Sequence, residues 1–262
     1  MEGIEDLEEE QEINEIFQNT YVDTESLKNL KETSQAFLEV NNFDLGKEPY
    51  FKDFSDLEFV KYIEKNPNED IISKFRDSNI REDFRSSMSN IYHGKNKKSK
   101  IFVFFLPTSS SSSSVGVDVI KNFFKLIIIF GCTDGIMISE KQLTSKSKEK
   151  LEYSNSVSSE SENSFNIINY IDDEFINITE HCLSPEIMKI YSGEELDKFL
   201  EKEKISIKEF PRITIDDPVV KFFRAKVGDL IKMKRKTGIE NSLINEQIIF
   251  RAVVHTQFKN KK

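Results

Sequence analysis

A chain of 262 residues, 37% hydrophobic, is long enough for one large or two modest domains, and its net charge of −9 argues against strong free-standing binding to a polyanion. It has no stretch of the roughly 18 uninterrupted apolar residues that a membrane helix needs, and its start, Met1-Glu2-Gly3-Ile4-Glu5-Asp6, lacks a signal-peptide layout, so a soluble intracellular protein is expected. Cys132 and Cys182 stand without Cys-x-x-Cys spacing, which suggests small buried hydrophobes rather than a disulfide framework or a thiolate zinc site.

Charge is segregated along the chain. Residues 1–176 carry 20 Lys+Arg against 33 Asp+Glu, whereas residues 177–262 carry 17 against 13. Within the acidic part, residues 93–150 hold ten lysines and four acids, while the first twelve residues hold seven acids and no base.

In chain order, residues 1–25 read as an acidic, solvated leader. Leu27, Leu30, Ala36, Phe37 and Leu38 predict a helix over 26–40, with Thr24 or Ser26 as its cap, and Leu57, Phe59, Val60 and Ile63 predict another over 55–64. Lys100-Ile101-Phe102-Val103-Phe104-Phe105-Leu106, stopped by Pro107, reads as a buried strand. Lys125 to Phe130, stopped by Gly131, reads as a second strand, with Val119, Ile120, Phe123 and Phe124 at the spacing of a helix crossing between them. Two serine-rich tracts, 108–114 and 154–164, read as polar loop insertions rather than phosphorylation sites.

After Asp172 the texture changes. Phe175 to Ile178 predicts a short strand, and Ser192-Gly193-Glu194-Glu195 caps a helix through Leu196, Phe199 and Leu200. A short helix is predicted from Pro218, with Asp216 or Asp217 as its cap. Gly228 to Arg235 reads as a turn and strand, and Gln247 to Val254 as its antiparallel partner. The second part is therefore a small sheet with two short helices.

The ordered series Ile178, Thr179, Glu180, His181, Leu183, Pro185, Glu186, then Glu194-Glu195, then Pro211-Arg212-Ile213 and Asp217-Pro218-Val219, then Gly228, Ile231, Lys232, Phe250 and Arg251, resembles one family closely. It is the fifth shared subunit of eukaryotic nuclear RNA polymerases, whose C-terminal part also exists as a small archaeal polymerase subunit in its own right. More weakly, Ile101 to Phe105, Val115-Gly116-Val117, Leu126 to Ile129 and Thr144 to Lys148 resemble a strand, a turn, the next strand and a loop of the eukaryotic N-terminal domain. In three places the chain departs from the family. Ile187 stands where a second histidine is expected, Arg224 where a glycine follows paired aromatics, and a longer loop, Lys236 to Ser242, replaces a short turn. Without the glycine, the backbone at Arg224 has either given up a positive φ or keeps it under strain.

The resemblance implies an α+β protein with three parts. These are the leader at 1–25, a nuclease-like but non-catalytic α/β jaw domain at 26–172, and an α+β assembly domain with a short mixed sheet at 173–262. It implies a non-catalytic polymerase subunit that docks on the largest subunit among the core subunits and forms part of the jaw around downstream duplex DNA. No cofactor, membrane or small-molecule substrate is implied. The expected place is the nucleus, or a virus factory or virion if the source is a large DNA virus.

Sliding along DNA of any sequence calls for dispersed phosphate contacts. Lys95, Lys97, Lys98 and Lys100, with Lys146, Lys148 and Lys150, offer them; the blander alternative is a solvated face. Candidates for docking are Glu180, His181, Pro211, Arg212, Asp217 and Arg251, against the alternative that the prolines only shape turns and Arg212 pairs with Asp217. Catalysis is not expected. Neither Pro107-Thr108-Ser109 nor Gly131-Cys132-Thr133 supplies a nuclease's acidic triplet, His93, His181 and His255 lie far apart, and there is neither a Gly-x-Ser-x-Gly elbow nor a phosphate-binding glycine loop. The alternative is a paralogue that keeps the docking domain and uses its acidic leader and insertions as an adaptor for transcription regulators; against a free-standing DNA-binding module stands the acidic balance of residues 1–176.

Overall fold

The computed structural model describes residues 23–77, 83–96, 98–108, 113–158, 165–181, 184–236 and 246–255. The expectations for residues 1–22, Lys97, Cys182, Leu183 and the loop after Lys236 fall outside them, as do four serines of the first tract and residues 159–164 of the second.

Helix α1 (Thr24–Val40) is capped ahead of both expected candidates, because the Asp23 carboxylate accepts from Ser26 N at 3.1 Å. Strand β1 (Phe43–Asp44) follows, and α2 (Asp56–Lys65) opens on a Ser55/Glu58 capping box. The sequence reading missed α3 (Glu69–Asp77), α4 (Phe84–Ser87) and β2 (Asn90–Gly94). Strand β3 (Lys100–Phe105) is where its apolar run placed it. Ile101, Val103 and Phe105 enter the core beneath α1 and α2, while Phe102 and Phe104 enter a second core with Phe75 and Phe123.

The second predicted strand is instead the last part of a helix, α5 (Val117–Phe130). Ile120, Phe123, Leu126 and Ile127 form one buried helical face, and Gly131, at φ 62°, terminates the helix in the left-handed conformation. The β-branched run was read by propensity, and packing overrode it. The strand position belongs to β4 (Asp134–Ser139), which pairs in parallel with β3. Gly135 lets α5 approach that closely, since a Cβ there would lie 2.6 Å from Ile127 Cδ1. Helix α6 (Ser145–Ser158), whose first turn is held by Thr144 through the Ser147 hydroxyl at 2.7 Å, leads to β5 (Asn166–Ile171). Thus Thr144 to Lys148 opens a helix rather than a loop, and the start of the second serine tract is helical. The sheet order is β1-β2-β3-β4-β5, antiparallel up to β3 and parallel from β3 to β5.

Phe175 to Ile178 does not form the predicted strand. A 3₁₀ turn at Asp172–Glu174 redirects the chain, and Phe175 and Ile178 are buried in the core under α1. A second sheet follows, in the order β6-β8-β9-β7, built from β6 (Glu186–Tyr191), β7 (Arg212–Thr214), β8 (Leu230–Lys236) and β9 (Glu246–Val254). The expected antiparallel pairing of β8 with β9 is present, and β7 adds in parallel to β9, so the sheet is mixed. Helix α7 (Gly193–Glu203) begins after Ser192, whose side chain makes no cap hydrogen bond, whereas Asp217 caps α8 (Pro218–Phe222) by accepting from Val219 N at 2.9 Å. The whole is α+β.

Candidate subunit and nucleic-acid interface

The two groups of candidate lysines lie at opposite ends of the strands of the five-stranded sheet. Lys95 and Lys98 are exposed in the turn between β2 and β3, and half-buried Lys100 starts β3 opposite His93. Lys146 and Lys148 are exposed on the first turn of α6, which begins beyond the far end of β4; Lys150 is half-buried, its ammonium 5.6 Å from the Tyr153 ring. Strands of six residues separate the groups by about 20 Å at the usual rise of ~3.3 Å per residue. One duplex meets both groups only if it runs along the strands.

The docking candidates divide as well. Glu180 is exposed but its carboxylate ion-pairs with Lys52 Nζ at 2.8 Å, which raises the Lys52 pKa through that hydrogen bond. Exposed His181 follows it in the same turn. Asp217 is occupied as the α8 cap, and no ion pair joins it to Arg212 among the described residues. Pro211 and Arg212 are exposed, Pro211 lending its carbonyl to Ala252 N at 2.9 Å. Arg212 is registered with Ala252, the neighbour of Arg251, so the two arginines point to opposite faces of the sheet.

On the Arg212 face the structure gathers a group that the sequence reading did not single out. Tyr191, Phe199, Phe250 and Phe210 form a row with centroid separations of 4.6, 5.6 and 5.7 Å, and Lys189 and Lys232 lie over its Tyr191 and Phe250 rings at 4.9 and 6.0 Å. The period-2 positions Lys189/Tyr191 and Phe250/Ala252 carried this signal, but β6 was not predicted.

Where the two sheets meet, Phe222 is buried in the core of the first, edge-on to Phe37 at 5.4 Å. Asn41 Nδ2 donates to Phe222 O at 2.9 Å, and Arg224 ion-pairs with Asp134, the first residue of β4. Arg224 has φ 54°, so the positive φ persists there under a side chain. Beside this pair lies an open cleft of about 490 Å³ whose lining includes Asn41, Thr133, Asn166 and Lys226.

Among the described residues no three His, Cys, Asp or Glu are grouped to hold a metal. The carboxyl ends of the parallel strands, where α/β folds place ligands, are closed by buried Arg85. It donates to Leu106 O at 2.8 Å and Ile138 O at 3.3 Å and forks onto the Asp172 carboxylate. Cys132 is buried, its thiol pushed up to about 11 by desolvation.

The fold is that of a two-sheet α+β protein. The family described as "RNA polymerase Rpb5, C-terminal domain" matches residues 176–253, the stretch that builds the four-stranded sheet. Similar proteins named "DNA-directed RNA polymerase subunit Rpo5" include that of Methanococcus vannielii, 38% identical over 79 residues, which are 30% of this chain and 95% of the relative. That of Staphylothermus marinus is 40% identical over 86 residues, 33% and 89% of the two chains, and that of Pyrococcus horikoshii 46% over 61 residues, 23% and 73%. The chain belongs to the Rpb5/Rpo5 family.

Proposed function

We propose that this chain is a non-catalytic subunit of a multisubunit DNA-directed RNA polymerase, with residues 173–262 docking on the largest subunit and residues 26–172 forming part of the jaw that holds downstream DNA. The observation that carries the reading is the family match over 176–253, falling on one folded sheet with its helices. The archaeal relatives, named as polymerase subunits, support the assembly role.

For docking, the face with Arg212, Lys189, Lys232 and the aromatic row has the composition of an interface centre, aromatic and arginine-bearing with charge at its rim. For the jaw, the lysines at the start of α6 and at the β2–β3 turn suit sequence-independent phosphate contact. The place of work is then the nucleus, or a virus factory or virion for a viral source.

Purification of the tagged chain at moderate salt, followed by mass spectrometry, tests the reading; both large polymerase subunits in equal stoichiometry are expected, and their absence would sink it. In the reconstituted polymerase, Lys146→Glu with Lys148→Glu should weaken retention on downstream DNA and flatten its salt dependence, with each lost phosphate contact reducing the log–log slope by about 0.9. The same comparison with Lys95→Glu and Lys98→Glu assigns the DNA-facing end. The adaptor alternative draws on one observation: Ile128 and Ile129 are more than half exposed on α5 beside exposed Lys121 and Lys125.

A further inference from the structure

Arg224 sits at φ 54° in the left-handed position that ends α8, where Ala225 N donates back to Val220 O at 3.1 Å. Its guanidinium reaches out of the four-stranded unit to Asp134, 90 residues away in sequence, and its carbon lies 5.9 Å from the Phe43 ring. Both side chains are largely withdrawn from solvent, at 16% and 13% exposure. The other Asp134 oxygen accepts from the Thr133 hydroxyl at 2.9 Å, which fixes the direction of the carboxylate. Asn41, at the end of α1, adds its bond to Phe222 O on the same side.

The attraction between the units has a separate source. Phe222 is 1% exposed within the first core and touches Phe37, but apolar burial has no preferred direction and tolerates rotation about the buried ring. Arginine's planar fork against an oriented carboxylate does specify direction.

We propose that Arg224 is a positioning residue: paired with Asp134, it selects the angle at which the four-stranded unit sits on the five-stranded one, while Phe222 holds the two together. Within the jaw reading, on which this consequence alone rests, a subunit docked through its second sheet thereby carries the lysines of the first to a set place.

Residual dipolar couplings and amide relaxation on the isotope-labelled full chain provide the test. The unaltered chain should report a single alignment tensor for both sheets. Arg224→Gly keeps the left-handed turn without steric cost and deletes the cation; Asp134→Asn keeps shape and deletes the charge. Each should give two distinct tensors and faster tumbling of the four-stranded unit, with amide exchange inside each sheet unchanged. The swapped pair Arg224→Asp with Asp134→Arg should return the chain to one tensor. Couplings unchanged in both single variants would overturn the proposal by showing that the packing of Phe222, Val219 and Phe223 on the first core sets the angle. Loss of exchange protection within the four-stranded sheet would overturn it equally, by making Arg224 a fold determinant. Since the experiment uses the free chain, its outcome is independent of whether the chain is recovered with a polymerase.

Discussion

The two sheets solve the same burial problem at different scales. The five-stranded sheet is sandwiched, with α1 and α2 on one face and α5 on the other, and its central strands β3 and β4 are almost entirely buried. Among the described residues the four-stranded sheet has small buried clusters, five residues on one face and three on the other, and its strands carry exposed Lys189, Arg212, Arg235 and Ile248. A unit with so little core is marginal by itself. Its helix α8 lends Phe222 to the larger core, so part of its stability resides in its neighbour. The relative from Methanococcus vannielii is matched over 95% of its own length by 79 residues of this chain, about the length of the stretch that the family matches.

The sharpest way to break this comparison is Phe222→Ala. Deleting a ring that is 1% exposed should cost about 3–5 kcal/mol and split urea unfolding, followed by circular dichroism, into two transitions. A single transition at an unchanged midpoint would mean that the units are not coupled through this ring.

Next comes a charge buried in the larger unit alone. Lys31, 2% exposed, donates to Met88 O at 2.9 Å and to Tyr92 Oη at 2.8 Å and ion-pairs with Glu48 at 3.1 Å. Lys31→Met leaves the Glu48 carboxylate uncompensated and should destabilise the five-stranded unit by about 3–5 kcal/mol. Residue-resolved thermal melting should show the earliest loss in β2 and α1, with the four-stranded sheet following through its contacts around Phe222 and Arg224.

Alkaline pH sharpens the same contrast. Burial, aided by the Glu48 charge, lifts the Tyr92 phenol well above its ordinary 10.0, and burial lifts Tyr170 likewise. The unfolded chain therefore loses these protons first, so their contribution to stability is complete below pH 10 and declines as pH rises above it. Tyrosinate absorbance should show Tyr92 and Tyr170 ionising late, as the larger sheet unfolds. Ionisation of both near pH 10 with the fold intact would contradict their burial.

The smallest effects lie at the two caps of the second unit. Asp217→Ala removes a carboxylate that accepts from Val219 N and should cost about 1 kcal/mol. Ser192→Ala, at a cap without a side-chain bond, should stay within about 0.5 kcal/mol by denaturant midpoint.

Much of this could be read along the chain because it depends on local periodicity and chemistry: α1 and α2 from their apolar stripes, β3 from its continuous apolar run, the β8–β9 hairpin, and α8 from Asp217-Pro218. The family series was legible along the chain too, because it is an ordered run of residue types, among them the Asp217-Pro218 helix start. Lys125 to Phe130 could not be assigned that way, because a β-branched run looks alike in a buried strand and in one face of a helix until β4 takes the strand position. Tertiary structure also decided which candidates share a surface. The lysine groups separated because α6 starts at the opposite end of the strands from the β2–β3 turn, and Arg212 parted from Arg251 because strand residues alternate. The family and the elements with strong local patterns were legible in the chain itself, whereas α3, α4, α6, β4 to β7 and the short strands β1 and β2 were not. Only the fold placed Arg224 against Asp134, since a pairing across 90 residues leaves no trace in either residue's local sequence.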